Sequence, residues 1–79
     1  MIDVKLNKEN CSSFNNKYGA NATKEFHKIL CETGKLSTVA DHFGFTRANA
    51  STVYKQLYLI SFVTFKRLRH KALKKARGE

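Results

Sequence analysis

The chain has 79 residues and no proline, and its formal net charge is +9. That length makes one domain with a small core. A hydrophobic content of 42% excludes disorder throughout. The longest apolar run, Leu57 to Phe65, is too short to span a bilayer, and the first residues carry no signal-peptide core. The charge is uneven: +1 over residues 1–34, +2 over residues 35–65 and +6 over residues 66–79. A basic end of this kind suits a phosphate-bearing partner.

Met1 to Leu6 alternates, with Ile2, Val4 and Leu6 apolar, which is the pattern of a short strand. A lone strand is unstable, so this stretch either pairs with a second copy or forms a mobile arm, and the arm is the favoured reading. Asn7 to Asn21 is polar and turn-rich; Phe14 and Tyr18, four apart, fit one helical turn over the core. The first clear helix is residues 22–33, capped by Asn21, with Ala22, Phe26, Ile29 and Leu30 on one face and Gly34 at its end. A second helix runs over residues 37–43, opening at Ser37 or Thr38, with Val39, Ala40 and Phe43 inward.

Gly44 then supplies a residue tolerant of left-handed φ, Phe45 plugs the corner, and Thr46 caps a third helix over residues 47–59. Ala50, Val53 and Leu57 form the inward face of this helix. At 100° per residue Ala48, Thr52 and Lys55 then point outward, flanked by Asn49, Ser51 and Gln56, with Arg47 in the exposed first turn. An ordinary solvated helix face carries Glu and Lys, yet no acid occurs from Thr46 to Lys75. Leu59 would share the outward face with Lys55, so the helix ends near residues 58–60 or is covered there. Ser61 caps a fourth helix over residues 62–76. Its apolar stripe is Phe65, Leu68, Ala72 and Ala76, widened by Phe62 and Leu73, and Lys66, Arg67, His70, Lys71, Lys74 and Arg77 lie opposite.

The succession Ala40, Gly44, Phe45, Thr46, with Val39, Phe43 and Val53 at apolar positions, resembles the helix-turn-helix of DNA-binding proteins. Ala50 departs from the pattern, in which Val or Ile is commoner. The Phe45-Thr46-Arg47 opening is similar to the operator-reading helices of small plasmid and phage repressors, including those of the KorA type. The segment from Phe65 to Leu73 is faintly similar to the fourth region of bacterial sigma factors. The resemblance implies that Arg47, Ala48, Ser51, Thr52 and Lys55 face base edges and that Ser37 or Thr38 touches phosphate. Arg suits guanine, Asn or Gln suits adenine, and methyl-bearing Thr or Ala suits thymine.

The expected fold is therefore all-α: a bundle of three to four helices in residues 21–79, preceded by an N-terminal arm in residues 1–20. The expected function is sequence-specific binding of double-stranded DNA by a cytoplasmic homodimer that regulates transcription, as a repressor, with no cofactor, no small-molecule substrate and no membrane partner. Thr46, Asn49 and Gln56 complete the candidate contacts on the third helix, and Lys66, Arg67, Lys71 and Lys74 neutralise phosphates. The fourth helix has two other readings, pairing with its copy or lying on an acidic membrane or calmodulin-like partner. The last of these makes the chain an interaction module rather than a reader of DNA.

Other chemistry is thinly supported. Cys11 and Cys31 read as reduced thiols rather than a disulfide framework. His27 and Cys31 have metal-ligand spacing, with Cys11 and His42 as possible further ligands, but no paired-cysteine knuckle accompanies them. The carboxylates do not cluster, no glycine-rich phosphate loop is present, and stacking aromatics for single-stranded RNA are missing.

Overall fold

The structure, a computed structural model, describes residues 4–78. Those residues form five α-helices: α1 Lys8–Tyr18, α2 Ala22–Thr33, α3 Leu36–Phe43, α4 Arg47–Leu57 and α5 Phe62–Ala76. The all-α expectation holds. Four of these helices correspond to the expected ones, and α1 is a fifth.

α1 lies where the sequence reads as an arm. Asn7 caps it by accepting from the Asn10 N–H at 3.1 Å. Cys11, Phe14 and Tyr18 recur at helical spacing, and Phe14 is buried among Phe26, Phe43 and Phe45. The residues before it are not free either. Leu6 makes an antiparallel bridge with Tyr58, the Asn7 N–H donates to Leu57 O at 2.8 Å, and the Leu59 N–H donates to Lys5 O at 3.3 Å. The extended stretch thus pairs within the same chain, against the segment that follows α4. Ile2 of the predicted alternation lies outside the described residues.

α2 starts without a side-chain cap from Asn21. Asn15 of α1 takes that role, its Oδ1 accepting from the Thr23 N–H at 2.9 Å, while Thr23 Oγ1 donates to Cys11 O. A cap supplied from another helix cannot be read from local sequence. α2 ends at Gly34 in the left-handed conformation (φ 66°). Arg69 of α5 covers that end, with Nε donating to Cys31 O and Nη2 to Glu32 O, each at 2.7 Å. These carbonyls belong to the last turn of α2, where no intrahelical donor is available.

The core joins two aromatic groups through Phe26, which is fully buried. On one side lie Phe14, Phe43 and Phe45; on the other, Tyr58 contacts Phe26 and leads to Tyr54 and Phe65. Tyr58 Oη and His27 Nδ1 share a hydrogen bond of 2.7 Å, and Cys31 Sγ lies 3.4 Å from His27 Nε2. α5 is held at its first half only. Phe65 is fully buried, but Leu68 and Leu73 are 38% and 37% exposed, and residues 70–78 are exposed throughout. The stripe expected to lie inward on α5 is therefore covered at Phe65 and open beyond it. The projecting half gives the molecule a long axis of 40 Å against 24 and 20 Å.

Candidate nucleic-acid interface

α3 and α4 form a tight helical corner. Gly44 adopts φ 75°, ψ 26°, and the Gly44 and Phe45 N–H groups both donate to Ala40 O. A β-carbon at that φ would be strained, which is the physical reason for glycine there. Phe43 and Phe45 stack across the turn, 5.4 Å apart and 12° from parallel. Thr46 Oγ1 accepts from the Asn49 N–H at 3.1 Å and so starts α4 where the sequence places it. α3 begins one residue before the expected start, at Leu36, with Lys35 as its flanking residue and no side-chain cap. Leu36 is buried, so the hydrophobic anchor sets the start rather than Ser37 or Thr38.

The inward face of α4 is as expected, and wider. Ala50 is 0% exposed, Val53 7% and Leu57 1%. A larger residue at 50 would push α4 off its neighbours, α3 foremost, so alanine fits the crossing. Tyr54 adds to this face. Its hydroxyl donates to Ile60 O and Ser61 O and ties the chain after α4 back onto the helix. Burial pushes the Tyr54 phenol up to about 12 and Tyr58 higher still, the latter reinforced by the nearby Cys31, Tyr54 and Cys11. Burial also pushes the Cys11 thiol up, partly opposed by its hydrogen bond to Thr23. α4 ends at Leu57, two residues before the expected boundary, because Tyr58 turns extended (φ −103°, ψ 139°) to bridge Leu6. Leu59 stays 60% exposed beside Val4 and Leu6, so it never shares a helix face with Lys55.

The outward face of α4 carries Arg47, Ala48, Asn49, Thr52, Lys55 and Gln56, all exposed, with Ser51 half-buried at its margin. Thr46 is exposed, but its oxygen serves the helix cap. Thr52 Oγ1 donates to Ala48 O at 3.1 Å, which leaves the hydroxyl as an acceptor beside its methyl group. Ser37 is exposed and Thr38 half-buried on α3.

This face is divided. Asn49, Thr52 and Gln56 line one side of a groove whose other side is Asn10, Ser13 and Lys17 of α1, over a floor of Phe14 and Val53. Asn10 Nδ2 donates to Gln56 O at 2.7 Å and fixes the spacing of the two helices. Ala48 and Lys55 lie off the groove. The α1 residues are absent from the sequence-derived site. A polar 10, 13, 17 row beside Cys11, Phe14 and Tyr18 is nevertheless a helical signal, masked there by the run of Asn and Ser.

The α5 cations form a separate surface. Lys66, Arg67, Lys71 and Lys74 are exposed, and Lys66 and Arg67 join Val63 and His70 around a shallow depression. Lys66 Nζ sits 5.6 Å from the Phe62 ring centre. Arg69 is set apart from these by its structural bonds to α2. His42, considered as a metal ligand from sequence, instead meets Glu25 at 3.5 Å in an exposed pair of little energetic weight. Among the described residues no three His, Cys, Asp or Glu side chains converge as metal ligands, and no helix is long and apolar enough to cross a membrane.

No family model, curated protein or solved structure matches the chain. The reading of the site rests on its geometry and chemistry.

Proposed function

We propose that the chain binds double-stranded DNA in a sequence-specific way, with α3 and α4 as a helix-turn-helix, and regulates transcription by occupying its site as a repressor. The observation that carries this reading is the α4 face: exposed, free of carboxylates, and backed by fully buried Ala50 against the Gly44 corner. A major groove about 12 Å wide admits one helix with such a face. Arg47 and Lys55 supply donors for guanine. Thr52, its proton committed to Ala48 O, supplies an acceptor and a methyl group, which suit an exocyclic amine or thymine. Lys66, Arg67, Lys71 and Lys74 neutralise phosphates.

A small reader of this kind is expected to act in pairs on two half-sites. The partly exposed Leu68 and Leu73 of α5 are the surface proposed for the second copy, because they are large apolar side chains on the part of α5 that projects from the core. The competing reading, an interaction module docking through α5, shares the same exposed leucines and is separated by sedimentation with anionic vesicles.

Selection from a random duplex library, followed by gel-shift titration, tests the proposal. Thr52→Glu should abolish preference for the selected sequence while the far-ultraviolet spectrum stays unchanged. Equal binding of selected and random duplex by the unaltered chain would overturn the assignment of α4.

A further inference from the structure

We propose that α1 is the second wall of the DNA site, where Lys17, Ser13 and Asn10 hold the sugar-phosphate strand that borders the groove read by α4. This rests on the DNA-binding reading above. The groove between α1 and α4 has a volume of about 280 Å³. Its polar lining is Asn10, Ser13, Lys17, Asn49, Thr52 and Gln56, together with Tyr18, with one cation and no carboxylate.

Packing decides which part of DNA it meets. An α-helix with its side chains is about 10–12 Å across, and a major groove about 12 Å wide holds α4 alone. A helix fixed beside α4 therefore meets the backbone that bounds the groove, not the bases. The side chains on that wall are the types that donate to phosphate oxygens. The wall is also preset. Phe14 is buried beneath it, Asn10 is bonded to Gln56 O, and Lys17 Nζ lies 5.3 Å from the Tyr18 ring centre. Asn10 retains a second amide proton, and Ser13 is exposed on the same wall.

The test is fluorescence anisotropy of the full chain with selected and random duplexes across a salt series. Lys17→Ala should weaken both duplexes by the same factor and leave their affinity ratio unchanged. Its salt slope should fall by about 0.9, so that between about 50 and 200 mM salt it loses about 3.5-fold less affinity than the parent. Lys8→Ala deletes the same charge from α1 at a residue that lines a different depression, and should leave the slope close to that of the parent. Lys17→Arg should restore it. A Lys17→Ala slope no different from that of Lys8→Ala, or a loss confined to one duplex, overturns the α1 wall while the α4 assignment stands. Absence of duplex binding by the parent chain overturns both.

Discussion

Replacing Arg69 by alanine tests how α5 is attached to the domain. Its guanidinium donates to Cys31 O and Glu32 O at 2.7 Å each, and its Nη1 lies 3.0 Å from where a β-carbon on Gly34 would sit. A hydrogen bond to a charged group contributes about 1.5–3 kcal/mol when well enclosed. Arg69 is half-exposed, so water recovers part of this for the freed carbonyls. Loss of the cation from a helix C-terminus adds about 0.3–1 kcal/mol. The net cost should be about 2 kcal/mol, and in a domain of this size that lowers Tm by about 10 °C. Thermal unfolding followed by circular dichroism measures it. Arg69→Lys should recover less than half, since one ammonium cannot reach both carbonyls in the same planar geometry. Gly34→Ala should also destabilise the parent, through its positive φ and the close guanidinium, and less so once Arg69 is alanine. A loss below about 0.5 kcal/mol for Arg69→Ala, within the range of ordinary surface substitutions, would refute the assignment of Arg69 as the clasp of α2.

Thr46→Ala removes the cap of α4 and should cost about 1 kcal/mol in chemical denaturation; Ser37→Ala, at a position that caps nothing, should be neutral. Alkaline stability should fall as pH rises from about 10 towards 12, because the Tyr54 phenol is raised from its ordinary value of 10.0 to about 12 by burial. The neutral form is favoured in the folded chain, so that stabilisation is intact below pH about 10 and lost above it; denaturant midpoints across this range show it. Leu73→Glu should leave the monomer folded and shift sedimentation towards a single copy if α5 pairs with its counterpart. An unchanged sedimentation coefficient at all concentrations rejects α5 as the pairing surface.

The helices from α2 onward were legible in the sequence because each has local punctuation. Gly34 and Gly44 stop helices in the left-handed region, and Thr46 and Ser61 start them with hydroxyl caps. The outward residues of α4 followed from its buried Ala50, Val53 and Leu57. α1 was hidden because its composition is polar and its value to the fold lies in long-range contacts: Phe14 in the core, Asn15 on the start of α2, Asn10 on the end of α4. Residues 5–7 were misread for a related reason. Alternation announces an extended backbone but not its partner, which proved to be the segment at 57–59. The stripe on α5 was legible, but periodicity cannot say how much of it the rest of the chain is large enough to cover.

The last two turns of α5 are exposed along their whole length. A helical stub that short has little capacity to keep itself wound in water, and its clustered cations oppose winding, although Lys74 and Lys75 are well placed against the carbonyl end of the helix dipole. Any polyanion that binds there also reduces the repulsion and steadies the coil. Grip and winding are thus linked: a substitution that favours helix, such as His70→Ala, should tighten the hold on phosphate without altering a single lysine or arginine.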